Sequence, residues 1–395
     1  MNAPRVALFA DTFDEANGVA TICRHLTAFA IESDLPLLCV RSGDRTESSI
    51  QGSLTTLSLK RGLLAFPVDY GLRCDPLLSR YKQTVEKQVR AFRPDLIHIT
   101  GPGDFGILGW WVGHSLGIPR VASWHTNLHE YARRRLEKLF SGLPESWARG
   151  IASAGESRAL TELLRFYRRV QFLLAPNDEM VGLLRARTGK PAYFMPHGVD
   201  LDRFSPSLRA RGTGPFVIGY VGRLTPEKNV RVFVEIEQAL LAAGAPAFQF
   251  VIVGEGSERA WLTRHLRHAR LAGVLRGTHL AEAFANMDAF VFPSDTDTFG
   301  LVLLEALASG VPVLAGPAVA ARIGLQAGVN GFLARNVGEI AGGLQQLMLD
   351  DTLRQEMAAA ARTSACAKGW SGVFEQLYET YAQGLAECRP PHAGV

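Results

Sequence analysis

Residues 288–316 read DAFVFPSDTDTFGLVLLEALASGVPVLAG, and the rest of the chain can be laid out from them. Ala289–Phe292 is an apolar run closed by Pro293, as expected for a strand buried on both faces of a parallel sheet. Ser294–Thr298 is a polar loop. Phe299 and Gly300 lead into a helical pattern over Leu301–Ser309, stopped by Gly310 at the C-cap position. Val311–Leu314 is a second buried strand. Strand, loop, helix, strand is one unit of an open α/β sheet. Such sheets bind ligands in the loops at the carboxyl ends of their strands.

Two acids fall in this unit, Asp297 in the loop and Glu305 in the helix. Glu305 is flanked by Leu303, Leu304, Ala306 and Leu307, and a carboxylate in so apolar a helix needs a partner. One reading is local: Glu305 pairs with an arginine and Asp297 caps the helix. The other gives both acids to a ligand. Backbone N–H groups at Phe299, Gly300 and Leu301 then face a polar group at the helix start, and the carboxylates accept hydrogen bonds from hydroxyls. A hydroxyl-rich molecule with phosphate, such as a nucleotide sugar, suits that mixture.

The segment resembles the acid–x7–Glu signature of the retaining glycosyltransferases of family 4. It stands here as Asp297-x-Phe299-Gly300-x4-Glu305-Ala306-x-Ala308-x-Gly310-x-Pro312-Val313. The first acid is Asp where the family usually carries Glu, which keeps the charge and shortens the reach.

With 395 residues, 47% hydrophobic and 20% charged, the chain is globular and long enough for two to three domains. The net charge is +4. The positive excess lies between Arg120 and Lys190, with Arg133, Arg134, Arg135 and Lys138 in one predicted helix, Leu128–Arg149. Tyr131, Phe140 and Trp147 accompany them. That helix is either a solvated face or a contact for an anionic membrane surface; no element for reading nucleic acid accompanies it. Five scattered cysteines without paired spacing read as reduced thiols of a cytoplasmic protein. No apolar run is long enough to span a bilayer, and the N-terminus enters a strand too early for a signal peptide. The expected location is therefore cytoplasmic, peripheral at the inner membrane face where the basic helix engages lipid.

In the first half, Arg5–Ala10 is a buried strand, Asp11–Asn17 a polar loop, and Gly18 opens the helix Val19–Ala30. This is either an ordinary βα turn or an anion cradle. The resemblance assigns Asn17 and Gly18 to the donor diphosphate or the acceptor. Arg120–Trp124 is a strand that delivers His125 at its carboxyl end. A histidine there is structural or functional. With His129 it could also suggest a metal, but no carboxylate or cysteine joins them. The resemblance places His125 near the transferred sugar.

In the second half, Ser205–Gly214 reads as a linker. Phe216–Val221 is a strand running into Gly222-Arg223-Leu224-Thr225-Pro226-Glu227-Lys228. Two cations converging after a strand call for an anion: either a neighbouring acid or a pyrophosphate. The resemblance gives Arg223 and Lys228 the donor diphosphate. Val274–Gly277 is read as a short strand, and the resemblance places His279 and Leu280 after it at the position whose backbone usually reads the base. Glu339–Ala367 is read as helical and Trp370–Ala386 as a final amphipathic helix.

The resemblance covers nearly the whole chain and implies an α/β protein of GT-B architecture, two Rossmann-like doubly wound domains facing across a cleft. Residues 1–200 form the acceptor side and residues 201–370 bind the nucleotide sugar, with helix 371–388 packing back on the first domain. The implied reaction moves a hexose from a nucleotide diphosphate sugar to a hydroxyl of a lipid or saccharide acceptor, with retention. It needs no cofactor and no bound metal, since Arg223, Lys228 and helix N-termini offset the diphosphate charge. His125, Arg223, Lys228 and Asp297 are the expected catalytic residues. The pattern lies nearest the α-mannosyltransferase and sulfoquinovosyl transferase branch, so GDP-mannose is the first expected donor and a UDP-sugar, glucose-type or sulfoquinovose, the second. From other classes, a sugar-nucleotide epimerase or hydrolase of the same fold and a non-catalytic sugar-nucleotide-binding protein remain open.

Overall fold

The structure, a computed structural model, describes residues 3–388 other than 16, 70–71, 126–132, 134–135, 138, 141, 143, 211, 213 and 295–299. The chain forms two compact units, Met1–Pro196 with Ser371–Val395, and His197–Trp370.

The first unit is built on an eight-stranded sheet. Its strands are β1 (Val6–Phe9), β2 (Leu37–Gly43), β3 (Glu47–Gln51), β4 (Leu54–Lys60), β7 (Leu96–Ile99), β8 (Arg120–Ser123), β9 (Phe172–Ala175) and β10 (Ala192–Phe194). A separate hairpin joins β5 (Phe66–Asp69) to β6 (Leu72–Cys74). The order is β10-β9-β8-β7-β1-β2-β4-β3. All pairings are parallel except that of the exposed edge strand β3 with β4. Strands β1, β7, β8 and β9 are buried at every position, which is why they read as unbroken apolar runs. Phe9, Phe105, Val112 and Trp124 fill the core, each contributing roughly 1.5–3 kcal/mol by leaving water. The C-terminal helix Trp370–Cys388 lays Phe374, Leu377 and Tyr381 into this unit, with the Phe374 ring 5.5 Å from that of Phe29.

The second unit has a six-stranded, all-parallel sheet: β11 (Phe216–Val221), β12 (Phe248–Val253), β13 (Ala269–Gly273), β14 (Ala289–Phe292), β15 (Val313–Ala315) and β16 (Gly331–Leu333), in the order β13-β12-β11-β14-β15-β16. Alternate residues of β14 serve two cores. Phe290 and Phe292 pack with Phe284, Leu303 and Leu307, while Ala289 and Val291 pack with Phe233, Ile236 and Leu344, as strand pleating requires.

Several expectations give way. Ser205–Gly214 is no slack linker where described: it starts with a helical turn, Pro206–Leu208, and Arg209 is pinned 2.6 Å from the buried Asp288 carboxylate. Glu339–Ala367 is two helices, Val337–Leu349 and Asp351–Cys366, because the Asp350 carboxylate accepts from the Leu353 amide and caps the second. Ten residues of the helix expected over Leu128–Arg149 lie outside the described residues, and its last five belong to a different helix. An unforeseen one follows Pro144, Glu145–Tyr167.

Candidate active site

In each sheet the order of strands reverses direction once. In the first unit, β1 is followed on one side by β2 and on the other by β7; in the second, β11 is followed by β12 on one side and β14 on the other. Loops leaving two such strands part company and open a crevice at their carboxyl ends. The loops after β11 and β14 contain Arg223, Lys228 and the quoted acid-bearing stretch. Those after β1 and β7 contain Asn17 and the glycines Gly101 and Gly103.

Arg223 lies two residues past β11, and Tyr220 donates to its carbonyl at 3.0 Å. Its guanidinium is half-buried, 3.6 Å from Glu227, so the neighbouring-acid reading has a real partner. Lys228 ends the helical turn Pro226–Lys228, where its amide donates to the Thr225 carbonyl at 3.0 Å. The loop after β14 comes to this same turn: Ser294 Oγ is 3.5 Å from the Glu227 carbonyl, and Asn229 Nδ2 is 3.5 Å from the Pro293 carbonyl. Asp297 and Phe299 lie outside the described residues. Gly300, at φ 84°, turns the chain into the helix Leu301–Ala308, whose first turn has no side-chain cap.

Glu305 projects from that helix. Burial pushes its carboxyl up to about 7, the nearby charge of Arg203 acting against this and that of Asp200 with it. Among the described residues no ion pair forms on Glu305: Arg203 turns to Asp200, 3.6 Å away, and Arg362 serves the carbonyls of Leu201, Phe204 and Ala308. The local reading, an arginine partner, is not what the described residues provide.

The short strand expected over Val274–Gly277 gives way, which changes the setting of His279 and Leu280. No strand occupies 274–277. Strand β13 ends at Gly273, φ 72°, Val274 is 46% exposed, and both residues lie inside the helix Gly277–Ala285. A positive φ at Gly273 and again at Gly277 breaks the extended run and restarts it as helix. The His279 side chain is exposed and pairs along the helix with Glu282 at 3.4 Å.

In the first unit, Asn17 caps the helix Gly18–Glu32, its carbonyl oxygen accepting from the Ala20 amide at 2.9 Å and from the Thr12 hydroxyl at 3.2 Å. Gly18 is exposed at the helix start. The sequence reading missed a buried charge cluster beside it. Asp11 accepts from the amides of Gly103, Phe105 and Gly106, each at 3.1 Å, and so caps the helix Asp104–Leu116 from the loop after β1. Arg61 is paired with Asp104 at 3.1 Å. Burial and the charge of Asp104 push the Asp11 carboxyl up to about 7 against those amides and Arg61. The one signal was an acid set directly behind an apolar strand, opposite closely spaced glycines.

His125 follows β8. Its Nε2 is 2.7 Å from Ser123 Oγ, which is 2.9 Å from His98 Nε2, and His98 Nδ1 is 2.6 Å from the Tyr381 hydroxyl. Burial holds His125 down to about 4 and, with His125 beside it, His98 down to about 3. Both rings are therefore neutral near pH 7. Of the basic residues, Arg134, Arg135 and Lys138 lie outside the described residues. Arg133 pairs with Glu156 at 3.6 Å and Glu137 at 3.9 Å.

Residues 16–203 match the family model described as Glycosyltransferase Family 4, and residues 215–350 that described as Glycosyl transferases group 1. The GDP-mannose-dependent alpha-mannosyltransferase of Mycolicibacterium smegmatis is 33% identical over 307 residues, 74% of each chain. The sulfoquinovosyl transferase of Arabidopsis thaliana is 28% identical over 344 residues, 80% of this chain and 62% of that one. Among solved structures, sucrose-phosphate synthase from Thermosynechococcus elongatus aligns over 97% of this chain and 100% of its own, with TM-score 0.73 and 18% identity. Anabaena HepE in complex with UDP and glucose aligns over 96% of this chain and 99% of its own, with TM-score 0.66 and 18% identity.

Proposed function

This chain belongs to glycosyltransferase family 4, with the GT-B fold, and from that premise we propose that it transfers mannose from GDP-mannose to a hydroxyl of a lipid or saccharide acceptor, retaining the anomeric configuration. The observation that carries the reading is the meeting of the Arg223–Lys228 turn with the loop after β14. Cations there suit a diphosphate, and the Glu305 carboxyl suits sugar or ribose hydroxyls.

Arg223 and Lys228 hold the diphosphate and offset the charge that grows as it departs. The helix start at Gly300 and Leu301 adds amides of the same sign. The bond from the anomeric carbon to the diphosphate oxygen breaks as the acceptor oxygen bonds to the same face. The acceptor's proton passes to the leaving phosphate oxygen, so no protein nucleophile and no metal are needed. His125 and Asp297 contact the hydroxyls of the moving sugar.

A UDP-sugar donor, glucose-type or sulfoquinovose, is the second reading; the similarity to the sulfoquinovosyl transferase supports the sugar. A donor screen with GDP-mannose, UDP-glucose and UDP-sulfoquinovose, with and without lipid extract, tests both by nucleotide release and by the anomeric configuration of the product. GDP release that requires acceptor and yields an α-mannoside supports the proposal. Release without acceptor supports an epimerase or hydrolase, and binding without turnover a non-catalytic protein. Activity in excess chelator tests metal independence.

A further inference from the structure

Four side chains in the first unit stand in one line of hydrogen bonds: Tyr381, His98, Ser123 and His125. They come from three separate places, the C-terminal helix, β7 and the end of β8. We propose that Tyr381 of the C-terminal helix is a positioning residue that fixes the ring of His125 as the tautomer protonated on Nδ1, acting through His98 and Ser123.

The direction of the chain follows from its buried end. Tyr381 is fully buried, and among the described residues its hydroxyl has one hydrogen-bond partner, His98 Nδ1. A buried hydroxyl that only accepts would leave its proton unsatisfied, at a cost of about 1–3 kcal/mol. Tyr381 therefore donates to Nδ1. A neutral imidazole carries one proton, so that of His98 sits on Nε2 and is donated to Ser123 Oγ, 2.9 Å away. The Ser123 proton then has two acceptors, His125 Nε2 at 2.7 Å and the Ile99 carbonyl at 3.5 Å, and the shorter contact takes it. His125 Nε2 is thereby an acceptor, and its own proton is on Nδ1. Burial lowers both histidines, so each ring is neutral near pH 7 and carries the single proton that this assignment places.

The consequence reaches function. His125 offers a donor, not an acceptor, at Nδ1, and the choice is made on a helix whose Tyr381 is 283 residues from His98 in sequence. The kinetic part of the inference rests on the reading that His125 contacts the donor sugar; the tautomer does not.

Long-range proton–nitrogen NMR on protein labelled with ¹⁵N-histidine, with His125→Gln to assign the peak, reads the tautomer directly. In the unsubstituted protein, His125 is expected to show protonated Nδ1 and unprotonated Nε2. Tyr381→Phe keeps the ring packing and removes only the hydroxyl, so the two directions become nearly equal and both shifts should move towards their midpoint. A protonated Nε2 in the starting protein, or shifts unmoved by Tyr381→Phe, overturns the proposal. In kinetics, Tyr381→Phe is expected to lower kcat roughly tenfold, the equivalent of about 1.4 kcal/mol, with KM little changed and the melting temperature within a few degrees. Ser123→Ala breaks the line in the middle, so Tyr381→Phe added to it should cost nothing more. Independent, multiplying losses overturn the relay. Absence of any sugar transfer by the unsubstituted protein would instead overturn the proposed function, while the nitrogen shifts still decide the relay.

Discussion

Gly254 packs so tightly on Gly222 that a β-carbon added to it would lie 1.9 Å from the Gly222 carbonyl oxygen. The two glycines end neighbouring strands β12 and β11, and their contact lets the loop bearing Arg223 lie against the next βα turn, where Leu224 donates to the Glu255 carbonyl at 2.9 Å. Gly254 also has φ 142°. Gly254→Ala meets a backbone clash and a disfavoured conformation together, and is expected to cost on the order of 2–4 kcal/mol and to disorder the diphosphate loop. Gly244→Ala, at φ 66° in open space, should cost only about 1–2 kcal/mol. Chemical denaturation of both variants checks the difference.

Arg223→Ala and Lys228→Ala should each remove a charge-assisted contact worth about 1.5–3 kcal/mol, lowering turnover roughly ten- to a hundredfold with the fold intact. Steady-state kinetics with the best donor measures this. Full activity in both variants would move the diphosphate elsewhere.

Asp297→Asn should lose sugar transfer far more than nucleotide affinity, whereas Asp297→Glu, restoring the family's usual residue, should keep activity with some donors. Calorimetry with the nucleoside diphosphate beside transfer assays separates these effects. Equal loss of both in Asp297→Asn would make the residue structural.

Glu305 gives a pH signature. Its carboxyl rises from an ordinary 4.5 to about 7 on burial, so the folded protein keeps a proton that the unfolded chain has released. Stability must then fall as pH rises from about 4.5 through 7, with the penalty complete above that. Glu305→Gln removes the ionisation and should stabilise the ligand-free protein by on the order of 3 kcal/mol at pH 8, with no gain near pH 4, while weakening donor binding. Urea unfolding at the two pH values decides it; an identical difference at both would refute the burial penalty.

If the basic helix engages anionic lipid, each Lys or Arg near the surface contributes about 1 kcal/mol. Arg133 is offset by Glu156 and Glu137, so it should contribute least. Co-sedimentation with vesicles should require anionic lipid, weaken with salt, and fall more on Arg134→Gln with Arg135→Gln than on Arg133→Gln. Salt-independent behaviour would point to a soluble acceptor.

The sequence alone determined the alternation of buried strands and helices, the strand ends at which loops carry Arg223, Lys228 and His125, and the family, because each signal is local. A parallel strand buried on both faces is an apolar run, and a ligand loop is the polar stretch behind it. The tertiary structure decided what depends on partners far along the chain. Asp11 meets the amides of Gly103, Phe105 and Gly106 only because β1 and β7 pair in register. Glu305 was expected to find either an arginine or a ligand, and only packing shows that Arg203 and Arg362 are engaged with other groups. His279 moved from loop to helix because two glycines adopt positive φ, a choice that apolar periodicity does not record. The line from Tyr381 to His125 joins the C-terminal helix to strands more than 250 residues earlier; no spacing in the sequence encodes a contact that exists only once helix and sheet have packed.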